Sequence, residues 1–407
     1  MNEEKLIVQK YGGTSVKNTK HIQSVANRIK SHVDKGFRVV AIVSAMGDST
    51  DILVGLALEI SRSPDRREMD MLLSTGEQVS VALVTMAMHE IGVTAISYTG
   101  LQIKMLTTGN FSDARIESIS SDKLRESLEN YQVIVVAGFQ GVDKEGNITT
   151  LGRGGSDTSA AAIASALGCR DCEIYTDVDG IYTADPRIVK NPLKLKQISY
   201  EEMLELSRLG AGVLHSRSVE FAKKYNIRLH VRSSYSADIG TFVIPKEEIM
   251  EQYVISGVTA KKDEAKVTIY CVQDHPGTAA EIFELMSNEK IYVNMIAQTT
   301  ALDKETSISF TVLKSDLDKT SKLIENFCSN RSLSFKTKKD IAIVSAIGVG
   351  MLSSYGVAAK MFRALSDENI NIDMISTSEI GISCVIDIAH TEAAQRTIHK
   401  VFLETDQ

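Results

Sequence analysis

Leu151 to Ala164 reads LGRGGSDTSAAAIA. It sets Arg153, Gly154, Gly155, Ser156 and Asp157 directly ahead of an alanine-rich helical run. Glycine lets a backbone approach a ligand closely, and the N–H groups of a helix start attract anions. Arginine adds a planar fork suited to a carboxylate or a phosphate. The segment is built to hold a small acidic ligand. It has a counterpart in Lys10-Tyr11-Gly12-Gly13-Thr14-Ser15, which follows the apolar Leu6-Ile7-Val8 and precedes a helical spacing, Ile22, Val25, Ala26, Ile29 and Val33. Strand, glycine turn with a lysine, then helix is the layout of a phosphate cradle. The turn is neither GxxxxGK[ST] nor GxGxxG, and taken alone it is equally a plain tight turn.

Working outward, residues 1 to about 245 alternate strand-like and helix-like segments. Phe37 to Ser44, Thr94 to Ser97, Gln132 to Phe139 and Glu173 to Val178 read as buried strands; Glu68 to Glu90 and Ser156 to Leu167 read as helices. Unbroken β-rich runs separated by helices predict an α/β fold with a mainly parallel sheet covered on both faces. Ligands of such sheets bind beyond the carboxyl ends of the strands, where both glycine loops fall. A break follows at Thr241 to Met250, with Pro245 and a charged run. Beyond it Pro276–Gln298 aligns with Tyr355–Thr377, with 9 of 23 positions identical. A duplicated unit of strand, loop, helix, strand, strand, helix predicts two small α+β modules that pack together.

Hydrophobic content of 43% and charged content of 24% suit a globular enzyme of two or three domains. A net charge of -7 without a basic tail argues against nucleic acid. Apolar runs such as Val133 to Val136 are too short to cross a membrane, and the N-terminus lacks a signal-peptide pattern, so the expected compartment is the cytoplasm. The 5 cysteines are odd in number. The lone Cys169-Arg170-Asp171-Cys172 has no second pair for zinc, so reduced, structural thiols are expected.

Six blocks in order, KYGGTSV, VSAMGDST (Val43 to Thr50), LLSTGEQVS (Leu72 to Ser80), VAGFQG (Val136 to Gly141), TLGRGGSDTSA and YTDVDGIYTADPR (Tyr175 to Arg187), resemble the aspartate kinases of the amino-acid kinase family. The duplicated unit resembles a tandem of ACT domains, amino-acid-sensing modules with a ferredoxin-like fold. The resemblance implies a catalytic domain over 1–245 and ACT domains over 264–336 and 340–407. It implies transfer of the γ-phosphoryl of ATP, with Mg2+, to the side-chain carboxylate of L-aspartate, opening lysine, threonine and methionine biosynthesis. A carboxylate is ionised at neutral pH, so no general base is needed.

By the same resemblance Lys10 stabilises the transferring group, with Gly12, Gly13, Thr14, Ser15, Gly154 and Gly155 around the phosphates. Arg153 grips the α-carboxylate, Glu77 and Thr50 receive the amino group, and Ser44 and Ser156 donate hydrogen bonds. Asp157 orients Lys10 or the magnesium shell, with a helix cap as its rival role. Thr176, Asp177, Tyr182, Asp185 and Arg187 face the nucleotide; no metal ligand is named. Two departures from the family pattern are His215-Ser216-Arg217 in place of His-Pro-Arg, and Gln102-Ile103-Lys104 in place of Gln-Ala-Gly. The first is expected to alter only local rigidity, the second to alter contacts.

The second half implies feedback inhibition by lysine, threonine or both. Asp274, His275, Pro276, Gly277 and Thr278 form the expected effector loop, with Asn294 and Gln298 on a facing strand. The matching Gly350 to Tyr355 lacks an acidic residue, so the first copy is expected to bind the amino acid better. The modules are also expected to build a homo-oligomer. Met250 offers an internal start for a separate regulatory subunit. The chain ends after the second copy, which favours a single-function kinase over one fused to homoserine dehydrogenase. Rival readings are a kinase of the same fold for glutamate, acetylglutamate, carbamate or a nucleotide, and a sensor whose kinase half has decayed.

Overall fold

The computed structural model describes residues 5–250, 253–273, 275–299, 305–329, 331 and 333–404. The chain divides into two compact units. Met1–Ile181, Lys194–Ser207 and Gly212–Met250 make the first; Tyr182–Leu193, Arg208–Ala211 and Glu251–Gln407 make the second.

In the first unit β1 (Lys5–Tyr11) leads through α1 (Thr19–Val33) to β2 (Phe37–Val43). Next come α2 (Ser49–Ile60), α3 (Arg66–Glu90), β3 (Ala95–Tyr98), β4 (Met105–Thr107), β5 (Ile116–Ile119) and α4 (Asp122–Asn130). Then follow β6 (Val133–Ala137), β7 (Gln140–Val142), β8 (Ile148–Thr150), α5 (Gly155–Leu167) and β9 (Asp171–Thr176). Last are β10 (Gln197–Ser199), α6 (Tyr200–Arg208), α7 (Ser216–Tyr225), β11 (Arg228–Ser233) and β12 (Thr241–Ile244).

Eight strands form one sheet in the order β10-β12-β11-β9-β1-β2-β6-β3. Every adjacent pair is parallel except β11 with β12. Val39–Val43 and Val133–Ala137 are wholly buried, as strands covered on both faces must be. The expected α/β architecture is present, and the expected strands agree to within a residue or two. A second sheet, β5-β4-β7-β8, delivers the chain to Thr150, just ahead of Arg153. By length and composition α3 alone among the described helices is fit to cross a membrane. Here its inner face, including Asp70, Ser74 and Glu77, is buried in the domain.

The second unit holds β13 (Gly257–Lys261), β14 (Glu264–Gln273), α8 (Thr278–Asn288), β15 (Val293–Gln298), β16 (Glu305–Leu313), α9 (Leu317–Ser329) and β17 (Ser334–Lys338). β18 (Ile341–Ile347), α10 (Val357–Asp367), β19 (Met374–Ser378), β20 (Gly381–Asp387) and α11 (Thr391–His399) follow. Two four-stranded sheets result, β15-β16-β14-β17 and β13-β18-β20-β19. β13 precedes the first module in sequence yet pairs antiparallel with β18 of the second. The second module therefore takes its fourth strand from residues 257–261, outside the stretch 340–407 expected to contain it. The modules share a core in which the repeat-related Met295 and Met374 meet Ile341, Ile343 and Val385.

All five cysteines are free. Burial raises the thiol pKa of Cys169 and Cys172, which suits packing rather than redox chemistry.

Candidate active site

Lys10 lies near the carboxyl end of the central strand, opposite Ile42 of β2 and Ile174 of β9. Its Nζ meets Asp157 Oδ1 at 2.5 Å, with each side chain about one-tenth exposed. Asp157 stands in the first turn of α5, whose backbone dipole favours a carboxylate there. The residue at the cap itself is Gly154, which makes no side-chain cap bond. Asp157 therefore pairs with Lys10 and does not occupy the cap position. An ammonium carries three N–H groups, so Lys10 keeps donors for a second anion.

Gly154 has φ +71°, and an added Cβ would lie 2.2 Å from Cβ of His215. Only glycine permits this start to α5. His215 belongs to the first departure from the family pattern. Ser216 is the opening residue of α7, where proline is favoured but not required. Arg217 then donates to the carbonyls of Leu151, at 2.6 Å, and Ala114. In the second departure Ile103 is fully buried, while Lys104 is exposed with φ 51°. The charge there points to solvent.

Four glycine N–H groups were expected around the phosphates. Two are engaged inside the protein, Gly12 with Tyr175 O at 3.2 Å and Gly155 with Gly152 O at 3.0 Å. Gly13 and Gly154 remain, together with the first-turn N–H groups of Ser156 and Asp157. The first α5 bond across a full turn is from Thr158 to Gly154, at 3.1 Å. The Ser15 hydroxyl is buried against Ser234 Oγ at 2.6 Å, and Thr14 O accepts from Tyr235 at 2.9 Å. Both therefore hold the loop's shape through the 233–236 turn, which sequence reading missed. Ser156 is buried, whereas Ser44 and Thr50 are half-buried and Arg153 is exposed. Among the described residues no hydrogen bond or ion pair engages the Arg153 guanidinium.

Glu77 is the second charged centre. Gly76 makes room for it: a Cβ there would lie 2.9 Å from Cβ of Ala45. α3 thus closes on the turn after β2, and Glu77 Oε1 accepts the Ala45 N–H at 3.0 Å. Ala45 links the two centres, since its carbonyl lies 2.8 Å from where a Gly13 Cβ would stand. Glu77 Oε2 is buried and accepts nothing among the described residues. Desolvation raises its pKa to about 7, against the opposing bond from Ala45. A buried carboxylate with one oxygen unsatisfied suits a small cation such as an ammonium.

Asp70 was missed. It is fully buried on α3, seven residues before Glu77 and so on the same helix face. It accepts from Thr150 N and Oγ1, both at 2.7 Å, and from Ser112 N at 3.0 Å. These bonds anchor the end of β8, three residues before Arg153. The available signal was an acidic residue inside the apolar Met69 to Leu73. Asp70→Ala would orphan at least two buried N–H groups, at about 1–3 kcal/mol each. We expect urea unfolding of this variant to show a loss of about 3–5 kcal/mol; a loss under about 1 kcal/mol would refute the anchoring role.

Thr176 and Asp177 stay in the first unit, joined by a 3.0 Å hydrogen bond. Tyr182, Asp185 and Arg187 fall in the second unit. There Arg187 pairs with Asp185 at 2.7 Å and holds that carboxyl below its usual range.

Also in the second unit, a cavity of about 340 Å³ is lined by His275, Pro276, Gly277, Thr278, Gln298 and Thr306, among others. Asp274 lies outside the described residues. Asn294 does not join this group: its amide donates to Glu264 Oε1 at 3.2 Å, toward the opposite end of the sheet from Gln298. The resemblance to ACT domains had placed both residues on the facing strand of the effector site. In the second module residues 253–256 lie against Gly348 and Gly350, covering the corresponding loop. Among the described residues no cluster of three or more His, Cys, Asp or Glu side chains is set to hold a metal.

Residues 5–233 match the model of the amino acid kinase family, and 270–326 and 344–402 match that of the ACT domain. The aspartate kinase of Pseudomonas putida is 49% identical over 401 residues, spanning 98% of this chain and 97% of that protein. The aspartokinase of Helicobacter pylori strain 26695 is 47% identical, spanning 98% and 99%. The crystal structure of E. coli aspartokinase III in complex with aspartate and ADP has a TM-score of 0.83 at 25% identity, covering 98% of this chain and 99% of that one. The same enzyme in complex with lysine and aspartate has a TM-score of 0.76. On these matches the chain belongs to the aspartate kinases, within the amino acid kinase family, and carries paired ACT domains.

Proposed function

We propose that the chain transfers the γ-phosphoryl of ATP to the side-chain carboxylate of L-aspartate, giving 4-phospho-L-aspartate at the head of lysine, threonine and methionine biosynthesis. The observation that carries this is the pairing of two unlike charged centres through Ala45: the half-satisfied Glu77, and Lys10 at the α5 start. Aspartate carries an ammonium and two carboxylates, so its site needs both signs. Glu77 takes the ammonium with Thr50 beside it, and Arg153 grips the α-carboxylate. A carboxylate oxygen attacks the γ-phosphorus as the bond to the bridging oxygen of ADP breaks, and no proton moves. Lys10 and the N–H groups of Gly13, Gly154, Ser156 and Asp157 stabilise charge on the transferring group. Magnesium keeps most of its contacts to phosphates and needs only one or two protein carboxylates. Asp157 fits that need, and the metal when bound would neutralise phosphate charge.

Thr176, Asp177, Tyr182, Asp185 and Arg187 form the nucleotide side of this reading. Lysine or threonine, bound in the cavity beside His275 and Gln298, lowers turnover. Lysine is bound in one structure of the E. coli relative, and the corresponding loop of the second module is covered. We place the enzyme in the cytoplasm as a homo-oligomer built through its ACT domains, with Met250 as a start for a separate regulatory subunit.

The test is magnesium-ATP turnover with aspartate, trapping the acyl phosphate with hydroxylamine. We expect hydroxamate from aspartate, none from glutamate, and suppression by lysine or threonine. Folded protein that binds either amino acid but makes no hydroxamate would leave only the sensor reading.

A further inference from the structure

The segment Tyr182–Leu193 lies between β9 and β10 in sequence, yet it belongs to the regulatory unit. Thr183 is the knot that holds it there. Its N–H donates to Leu193 O, and its Oγ1 accepts the Leu193 N–H, both at 2.9 Å. These two bonds close residues 183–193 into a loop. Its carbonyl accepts the N–H of Val258, in β13 of the second module, at 2.7 Å. Its hydroxyl also meets His399 Nε2 at 2.9 Å.

His399 is fully buried at the end of α11, and its Nδ1 lies 3.0 Å from Glu404 Oε1. One proton arrangement that satisfies the whole chain is Leu193 N–H to Thr183 Oγ1, Thr183 O–H to Nε2, and Nδ1–H to the Glu404 carboxylate. The preceding Ile398 packs in the core of the second module with Leu403 and Met361. The position of His399 is therefore set by that core. A buried histidine bonded on both nitrogens is a rigid strut, not a filler.

We infer that His399 is a positioning residue for the nucleotide, acting through Thr183 on the loop that carries Tyr182, Asp185 and Arg187. The inference rests on the reading that this loop contacts ATP. The second ACT module then sets the affinity for ATP, and any ligand that shifts its core is felt first on the nucleotide side. The first module, with its open cavity, would reach the loop through the core that both modules share.

The test is steady-state kinetics on the full chain, with melting temperatures checked alongside. Thr183→Val and His399→Gln should each raise the KM for ATP roughly tenfold, the weight of one buried hydrogen bond. kcat and the KM for aspartate should stay within about twofold. Thr183→Ser keeps the hydroxyl and should behave as the parent. The double variant Thr183→Val/His399→Gln should be no worse than Thr183→Val alone, because the Thr183–His399 link is already broken in that single variant. Unchanged ATP KM in both single variants would overturn the inference, as would equal losses in all three constants. Arg187→Ala separates the two levels. If it leaves the ATP KM unchanged, the nucleotide reading itself fails and the inference with it. If it raises that KM while Thr183→Val and His399→Gln do not, only the strut is wrong.

Discussion

Lys10→Met is expected to lower kcat about a thousandfold while leaving the KM for aspartate within about threefold. Preorganised charge aimed at the transition state is commonly worth factors of about a hundred to a thousand. On the proposed reading it carries most of the chemistry, because a carboxylate nucleophile asks nothing of a base. Methionine keeps the length and packing of the stem, so the loss is one of charge. The same change leaves Asp157 buried beside an uncharged neighbour, and removing one partner of a buried pair costs about 3–5 kcal/mol. The stability loss and the rate loss are separable. Adding Asp157→Asn should recover much of the melting temperature without recovering turnover. A single variant retaining more than a tenth of kcat would remove Lys10 from the machinery. A double variant that recovers activity would show that the effect ran through folding.

Glu77→Gln is expected to raise the KM for aspartate about thirtyfold or more, since losing one partner of a desolvated charge pair costs about 2–5 kcal/mol. The parent enzyme supplies its own control in pH. Burial holds the Glu77 pKa at about 7, so the ionised form that attracts an ammonium grows in as pH rises through that value. kcat/KM for aspartate should climb through a limb near pH 7, and Glu77→Gln should lack it. The stability effect has the opposite sign. A carboxyl whose folded pKa is raised holds a proton that the unfolded chain has released. Its stability contribution is full below the ordinary carboxyl pKa and is lost as pH rises through about 7. By linkage the loss is about 3 kcal/mol at alkaline pH. Part of that should be recovered in Glu77→Gln, which melts higher than the parent at pH 8 while binding aspartate worse. A variant that melts lower at pH 8 and keeps the pH 7 limb would place the charge elsewhere.

Such a trade is what a binding site imposes. On the proposed reading, burial of Glu77 with one oxygen unsatisfied among the described residues costs stability and serves to attract an ammonium. Asp70, on the same face of α3, is the contrast. Its carboxylate is satisfied by Thr150 and Ser112, so it stiffens the site without offering itself to a ligand. From the residue string the two look alike, an acid at one spacing on one helix. Their difference lies wholly in what the β8 and 109–113 segments bring to them.

What the sequence determined by itself is what depends on near neighbours along the chain. Apolar, β-branched runs such as FRVVAIV and VIVVA read as strands buried on both faces, and their alternation with helices points to a parallel sheet. The glycine turns after β1 and β8 mark strand ends where N–H groups are exposed, so Lys10, Arg153 and Asp157 could be picked out before any coordinate. The repeat from Pro276 and Tyr355 marked two modules. What only the tertiary structure decided is what depends on which distant segments meet. β13 crosses to the second module because strand pairing follows backbone hydrogen bonds, which residue order does not encode. Gly12 and Ser15 turn inward because the distant Tyr175 carbonyl accepts the Gly12 N–H and the Ser234 hydroxyl shares a hydrogen bond with that of Ser15. Asn294 is not among the cavity residues because the buried Glu264 carboxyl accepts its amide toward the other end of the sheet. Local periodicity names the face of an element; only the assembled fold supplies the partner that meets it.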